Sequence, residues 1–373
     1  MSALDRVRAV VRAGRRAADP FDAVGREARE RLPSVTGLAA PLVESALAIH
    51  LETKPSDEEL ATLLSRAGSA PRCHVVLSAN VCTAALRAIA VACATAPRVV
   101  VKPSRRDPVL AELLVRALGE DAAFAHAGGS IALAHAIVPE PGDEVHVYGA
   151  DATIEAIRPT LPAGVTLRAH GTGFGVAIFE EGVDLDLEAH SLARDVVSFD
   201  QRGCLSARIA IVIGVASRAA RAMRATAREL AEWNEVAPRG ALAPEDEADL
   251  RRYLTTVTAL GASLEGPGFA VGLDEAPRSL LLPPAARAVH FAPATIEDLA
   301  RLIAPWASKI AAIGVAPGAE RAVDVRALAP RARISRLGHM QLPPLDGPVD
   351  LRDDAPFKGP EGPPRSPSPA PDR

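Results

Sequence analysis

A thiolate is the strongest nucleophile a side chain offers, and this chain holds four candidates: Cys73, Cys82, Cys93 and Cys204. None stands in a Cys-x-x-Cys pair, so the spacing signals neither a zinc site nor a disulfide framework. Cys82 and Cys93 fall in or beside an apolar helical stretch, where a free cysteine is ordinarily a small hydrophobe. Cys204 is different. It lies in DVVSFDQRGCLSARIAIV (195–212), after a polar Asp-Gln step and before a β-branched run. Gly203 permits close backbone approach or an unusual φ, as an exposed nucleophile turn needs. A thiol so placed could form a thioester. The bland alternative is a buried cysteine at a strand end. A reactive thiol also needs a positive partner; Arg202 and Arg208 are near it in sequence.

Other residues could serve that chemistry. Asn80 closes CHVVLSAN; it is a turn residue in the simplest reading and an amide donor to an oxyanion in the functional one. Lys102 opens KPSRRDP, where Ser104, Arg105 and Arg106 add a hydroxyl and two cations. That cluster is either a solvated strand exit or a seat for a ribose and a phosphate. Gly149 and Ala150 form a small-residue turn in HVYGAD, and His170 ends VTLRAHG. His170 is the titratable imidazole at a strand end near these groups, or else a core or loop histidine. Arg218, Arg221, Arg224 and Arg228 recur at three- and four-residue steps. They form a solvated basic stripe or a dock for a polyanion such as a CoA diphosphate.

The elements that must position these groups alternate. Residues 1–65 read as helices, the last opened by a Ser56/Glu59 capping box. From Cys73, strands CHVVLSAN, RVVVKPS, DEVHVYGAD, VTLRAHG and GVAIFEE alternate with helices, which means βαβ units and a parallel sheet. DAAFAHA reads as a weak strand and SIALAHAI as a short helix. Asn80, Lys102 and Gly149 all fall at carboxyl ends of strands, the edge where such sheets bind ligands. There is no Gly-x-Gly-x-x-Gly.

After a helix from Asp184 to Asp200 comes the Cys204 segment, then a second α/β region. It has helices over Ser217–Trp233, Asp246–Leu260, Thr295–Leu302 and Gly318–Leu328, and strands ARAVHFAP, SKIAAIGVA and RARISRLG. We therefore expect a helical region over 1–65, a cofactor-binding α/β domain over 66–180, a catalytic α/β domain over 181–340, and a C-terminal extension over 341–373. The Pro-rich end of that extension, APFKGPEGPPRSPSPAPDR, is expected to be disordered.

Composition bounds the function. At 373 residues, 48% apolar, the chain has an ample core, and a net charge of −4 gives no argument for nucleic-acid binding. No apolar run approaches the roughly 20 residues a membrane helix needs. The basic N-terminus lacks an apolar h-region and reads as an amphipathic surface helix. A cytoplasmic protein is expected.

Together these segments resemble the aldehyde dehydrogenase superfamily, and within it the acyl-CoA reductase family typified by the fatty acid reductase of luminous bacteria. SFDQRGCLSAR is similar to the nucleophile segment and RVVVKPSRRDP to the strand ending in Lys-Pro-Ser. HVYGADATIEAIR resembles the Gly-Ser turn and helix beside the cofactor diphosphate, and LRAHGTGFGVAIF the strand-turn-strand before the nucleophile. ERLPSVTGLAAPLVESAL is similar to the reductases' N-terminal helices. Asn80 precedes Lys102 by 22 residues, close to the superfamily's interval between its oxyanion Asn and its cofactor Lys.

The resemblance implies an aldehyde-dehydrogenase-like α/β fold: two Rossmann-like domains with a cleft between them. It implies Cys204 as nucleophile, Asn80 as oxyanion donor, Lys102 and Ser104 at the cofactor ribose, and Gly149 and Ala150 beside its diphosphate. His170 falls where aldehyde-oxidising members carry a Glu that activates water, and Arg105 where NAD-preferring members carry a Glu that holds the ribose. Both departures favour thioester reduction with NADPH, NADH remaining usable. The expected substrate is a long-chain fatty acyl-CoA or acyl-carrier thioester, with His170 as a catalytic proton donor or a lining residue. Family members commonly form homo-oligomers. Aldehyde oxidation and a non-catalytic binding protein are the other readings.

Overall fold

Strands of near-continuous Val, Ile and Ala are what a parallel sheet covered by helices on both faces requires. The computed structural model describes residues 2–316, 324–352 and 357–358 and contains two such sheets. Four helices come first: α1 (Ala3–Ala18), α2 (Ala23–Thr36), α3 (Ala40–Ser45) and α4 (Asp57–Arg66). Ser56 and Glu59 make the expected capping box on α4. Then follow β1 (Arg72–Val76), α5 (Ala84–Thr95), β2 (Arg98–Lys102), α6 (Val109–Glu120), α7 (Ala122–His126), β3 (Ser130–Leu133), β4 (Glu144–Tyr148), α8 (Asp151–Ile157) and β5 (Thr166–His170). The strands order β5-β4-β1-β2-β3, all parallel.

The chain next crosses through residues 171–173 into β6 (Phe174–Phe179), α9 (Leu185–Val197), β7 (Ala207–Ile213), α10 (Ala216–Val236), α11 (Pro244–Leu260), β8 (Gly261–Gly266), β9 (Phe269–Asp274), β10 (Ala288–Ala294), α12 (Ile296–Ile303), β11 (Ile310–Val315), α13 (Val325–Leu328) and β12 (Arg333–Arg336). These strands order β12-β11-β6-β7-β10-β9-β8, parallel except for the β8–β9 hairpin. A last short strand, β13 (Phe357–Lys358), returns to the first sheet and pairs antiparallel with β5.

Two consequences position the site. In the first sheet the chain runs outward from β1 through β2 to β3, then restarts at β4 on the other side of β1. The switch point therefore lies between β1 and β4, and a crevice opens outside their carboxyl ends. Second, β5 ends at His170 and β6 begins at Phe174. The carboxyl edge of the first sheet thus faces the amino edge of the second. The sheets part before Phe174, ahead of the boundary expected at residue 180, because β6 bonds to β7 and β11 and not to β5.

Several local expectations are corrected. DAAFAHA is not a strand: the Asp121 carboxylate accepts from the Ala123 and Phe124 N–H groups and starts α7. SIAL is not helical, because pairing with β2 overrides its Ala-Leu propensity. The β8–β9 hairpin was signalled only by Pro267-Gly268, with Gly268 at φ 75°. α1 packs one face on the core and turns the other to solvent: Val7, Val10, Val11 and Ala17 are buried, Arg6 reaches the Cys93 carbonyl at 2.8 Å, and Asp5, Arg8, Arg12 and Arg15 are exposed. Of the helix expected over Gly318–Leu328, residues 318–323 lie outside the described residues, as do 353–356 and 359–373 of the expected Pro-rich tail. No helix among the described residues is long and apolar enough to cross a membrane.

Candidate active site

The Cys204 segment is bent by an unusual backbone. Phe199, Asp200 and Gln201 take φ of 55°, 52° and 64°, three left-handed residues in a row. Each costs roughly 1–2 kcal/mol in an L-residue, so the turn persists only if its surroundings hold it. They do. The buried Asp200 carboxylate accepts from Arg287 at 3.0 and 2.7 Å and from the Gly240 N–H at 3.0 Å. The Gln201 amide donates to the Ala207 and Ala288 carbonyls at 2.7 and 2.8 Å and accepts from the Ala288 N–H at 2.8 Å. Gln201 is thus tied to both β7 and β10. The sequence pointed to Gly203 for an unusual φ; the strain sits instead in the three residues before Arg202, and Gly203 serves close approach. A Cβ built on Gly203 would lie 3.0 Å from Gln341 Oε1, 3.3 Å from Val81 Cγ2 and 3.4 Å from Ser206 Oγ.

That approach joins the two sheets. Val81 follows Asn80 in the exit of β1, on the carboxyl edge of the first sheet. Gly203 and Cys204 stand just before β7, on the amino edge of the second. Cys204 is partly exposed, whereas Cys73, Cys82 and Cys93 are buried. Asn80 is exposed, and among the described residues its amide has no hydrogen-bond partner.

The other expected residues share the first edge. Lys102 ends β2, half-buried, and Arg105 is exposed; among the described residues neither has an ion-pair partner. Ser104 Oγ accepts from the Arg106 N–H at 3.3 Å. Gly149 and Ala150 link β4 to α8, and the nearest atom to a Cβ on Gly149 would be Thr153 Cβ at 3.9 Å, so the backbone there is open. Asp151 pairs with Lys309 at 2.7 Å and accepts from the Thr172 N–H at 2.7 Å, pinning this turn to the second sheet. In the basic stripe, Arg218 donates to the Glu180 and Val183 carbonyls and Arg228 pairs with Asp186. Half of that stripe therefore ties α10 to the start of α9.

His170 is turned inward. It stacks on Tyr148 with ring centroids 4.5 Å apart, and both ring nitrogens are buried without a partner. Burial pushes its pKa down to about 3, with the neighbouring His146 adding to the effect. The imidazole is neutral near pH 7.

Groups from the C-terminal side, which no local sequence pattern signals, also surround Cys204. After β12 the chain turns back. Asp195 of α9 accepts from the Gly338 and Met340 N–H groups at 2.6 and 2.9 Å. Gln341 then donates to Ser206 Oγ at 3.1 Å. Arg87 holds the carbonyls of Pro343, Pro344 and Gly347, and Arg333 those of Pro348 and Val349. The strap ends in a buried Asp350–Arg352 pair at 2.6 Å, whose guanidinium also donates to the Gly171, Thr172 and Ser308 carbonyls. The charge of Asp350 acts on both Cys204 and His170. Burial raises the Cys204 thiol pKa to about 11 and Asp350 adds to it, against Arg352, the residue's own N–H and Arg333. The resting thiol is protonated at neutral pH. Among the described residues no cluster of His, Cys, Asp and Glu could hold a metal ion.

The profile of the acyl-CoA reductase (LuxC) family matches residues 64–353. The chain belongs to that family. It shares its fold with a NAD-dependent benzaldehyde dehydrogenase from Corynebacterium glutamicum, at 14% identity over 91% of this chain and 80% of that one, with a TM-score of 0.67. Aldehyde dehydrogenase 21 from Physcomitrella patens matches at 13% identity, 96% of this chain and 85% of that, with a TM-score of 0.62. Proline utilization A from Bradyrhizobium japonicum matches over 96% of this chain and 42% of its own, at 16% identity and a TM-score of 0.64. No curated protein sequence matches this chain. The shared aldehyde-dehydrogenase fold and its facing sheet edges agree with the fold expected from sequence.

Proposed function

We propose that this protein reduces an acyl-CoA thioester to the aldehyde through an acyl-enzyme on Cys204. The observation that carries the reading is the contact of Val81 with Gly203, which brings the Asn80 turn against the nucleophile segment across the two sheet edges.

The Cys204 sulfur attacks the acyl carbon and the carbon–sulfur bond to CoA breaks. The thiol proton ends on the departing CoA sulfur, so the exchange is proton-neutral. Asn80 and a backbone N–H near Cys204 would carry the oxyanion, a contribution of about 3 kcal/mol per donor. After reduction, the thiohemiacetal collapses, the aldehyde leaves and Cys204 takes back a proton. A high thiol pKa favours that return.

A nicotinamide nucleotide suits the carboxyl edge of the first sheet. Lys102 and Ser104 would hold its ribose, Arg105 a 2′-phosphate, and the open backbone at Gly149 and Ala150 its diphosphate. When bound it would supply the hydride. Arg105 favours NADPH over NADH.

Water must be kept from the acyl-enzyme. An aldehyde-oxidising enzyme needs a carboxylate base for that water; here His170 is neutral, buried and stacked on Tyr148. With a pKa of about 3 it has no proton to give at neutral pH, so we assign it to the lining of the site and not to acid catalysis. The test uses labelled acyl-CoA without reduced nucleotide. Wild type should retain label as a thioester and Cys204→Ser should not. Equal labelling of the two would refute the acyl-enzyme.

A further inference from the structure

The chemistry at Cys204 leaves the N-terminal helices without a part, yet one of their side chains reaches its segment. His50 closes a π-helical turn, Ala46–His50, that continues α3. Single π-helical turns are rare overall and frequently sit at functional sites. This one carries the imidazole edge-on against Phe199, with ring centroids 5.2 Å apart and planes at 61°. His50 Nδ1 lies 3.1 Å from the Gln341 carbonyl oxygen, and Nε2 lies 3.4 Å from Ser198 Oγ. One side chain therefore touches both the left-handed turn and the C-terminal strap.

The partners fix the state of the ring. Burial lowers the His50 pKa, with Arg194 adding to it against the bond to Gln341, so the imidazole is neutral near pH 7. A carbonyl oxygen only accepts. Nδ1 therefore carries the proton and donates to Gln341, and Nε2 is left as an acceptor facing the Ser198 hydroxyl.

From Gln341 the contact runs on to the thiol. Cys204 is the second residue of a turn closed by the Ser206 N–H, which donates to the Gly203 carbonyl at 3.1 Å. The buried Gln341 side chain spans that turn. Its amide donates to Ser206 Oγ at 3.1 Å, and its Oε1 lies against Gly203, 3.0 Å from where a Cβ would stand. Holding the Gln341 carbonyl fixes where its amide stands, and the amide brackets the turn that carries the sulfur. The ring contact acts from the other side. Phe199 is the first of the three left-handed residues, and its carbonyl accepts from the Arg202 N–H at 3.1 Å. Backbone of that kind keeps its shape only while its neighbours hold it.

We propose that His50 is a positioning residue for Cys204: by donating to the Gln341 carbonyl and packing on Phe199, it holds the strap and the left-handed turn in register and so aims the thiol at the acyl carbon. The proposal rests on the acyl-enzyme reading. His50 acts through Gln341 and needs no contact with substrate.

The experiment compares wild type with His50→Asn and His50→Gln in the full chain. The Asn amide nitrogen stands where Nδ1 stands and keeps the bond to Gln341. The Gln amide nitrogen stands where Nε2 stands and keeps only the approach to Ser198. Acyl uptake without reduced nucleotide is measured with labelled CoA thioesters from acetyl to hexadecanoyl, and the best donor is used for the rate at saturation and for the half-saturating concentration. A reacting group misplaced by about 1 Å costs up to ~100-fold. Loss of one hold among several is expected to slow acylation about tenfold in His50→Gln, with half-saturation unchanged and His50→Asn close to wild type. Alkylation of Cys204 by iodoacetamide is the control. That reagent is small and needs no oriented partner, so it reports the state and access of the thiol but not its aim, and it should be unchanged in both variants. A merely structural role would loosen the turn, move alkylation with acylation and treat Asn and Gln alike; either result overturns the proposal, as does wild-type acylation in His50→Gln. If His50→Gln does not melt as the wild type does, Gln341→Met cuts the same path one residue further on. It should slow acylation equally and spare alkylation, and acylation at the wild-type rate there also overturns the proposal. No uptake by wild type from any thioester would overturn the acyl-enzyme reading itself, a result distinct from variants that acylate as fast as wild type.

Discussion

Asp350→Asn should make Cys204 more reactive while making the protein less stable. In the wild type the Asp350 carboxylate raises the thiol pKa and Arg352 opposes it. Neutralising Asp350 removes the raising effect while that of Arg352 stays, so the pKa falls. A single nearby charge shifts a thiol by roughly 1 unit or more, taking Cys204 from about 11 toward ~10. At pH 8 that means about tenfold more thiolate. Each thiolate is less nucleophilic, since reactivity falls with pKa at a slope near 0.4–0.5, which costs about threefold. The net expectation is alkylation by iodoacetamide roughly threefold faster at pH 8, read at Cys204 by mass spectrometry. The three other cysteines are buried, and Cys204→Ser gives the background. Breaking a buried pair costs about 3–5 kcal/mol when the remaining charge is stranded. Here Arg352 keeps three carbonyl partners, so about 2–3 kcal/mol is expected in a urea titration. Unchanged or slower alkylation in a variant that melts well above the assay temperature would refute the placement of Asp350 against the thiol.

Three further outcomes follow from other parts of the structure. Arg105→Glu should raise the KM for NADPH by about 10-fold or more and spare NADH, because it replaces the cation with a carboxylate that repels a 2′-phosphate; a loss equal for both nucleotides counts against that contact. Gln201→Leu should lose about 2–4 kcal/mol in urea unfolding, since it strands buried groups on β7 and β10; a loss under 1 kcal/mol would mean the turn holds itself. His170→Phe should flatten the acid side of the stability curve. The folded pKa of His170, about 3, lies below the ~6.5 of an unfolded histidine, so its contribution is full above pH 6.5 and is lost as pH falls. At pH 4 that loss is roughly 3 kcal/mol in the wild type and absent in the variant. Asp195 and Asp107, raised to about 7 and about 6, act with the opposite sign: their contribution is present at low pH and lost as pH rises. The difference between variant and wild type cancels them, and a flat difference from pH 7 to 4 would contradict the buried neutral imidazole.

What could be read from the sequence was whatever local pattern determines. Runs such as RVVVK and ARIAIVI are strands because they bury both faces, and alternation with helices dictates a parallel sheet. The carboxyl-edge placement of Asn80, Lys102 and Gly149 follows from that alone. Boundaries set by pairing were not legible: SIAL looks helical until β2 pairs with it, and β6 reads as a continuation of the first sheet until β7 and β11 claim it. The orientation of His170 was likewise hidden. Alternation along β5 puts it on one face of the sheet, but only the packing of Tyr148 and the strap shows that this face is closed.

The strap is the least legible part and the one that most changes the chemistry. Residues 341–352 have no periodicity, because their order comes from long-range bonds: Arg87, Arg333 and Arg352 hold backbone carbonyls that no helix or strand satisfies. Such a segment has the composition of a loop and the burial of a core. It also sets the state of Cys204. Arg202 and Arg208, the cations beside Cys204 in sequence, are not the ones that tune it; Arg202 binds the Thr36 carbonyl and Arg208 the Pro283 carbonyl. The charges that face the thiol are Asp350, Arg352 and Arg333, all from the C-terminal side. With burial raising the thiol and Asp350 adding to it against Arg352 and Arg333, Cys204 is kept protonated at rest. A thiol in that state resists oxidation and alkylation. It would suit the proposed transfer, in which the sulfur gives its proton to departing CoA and recovers one when the aldehyde leaves.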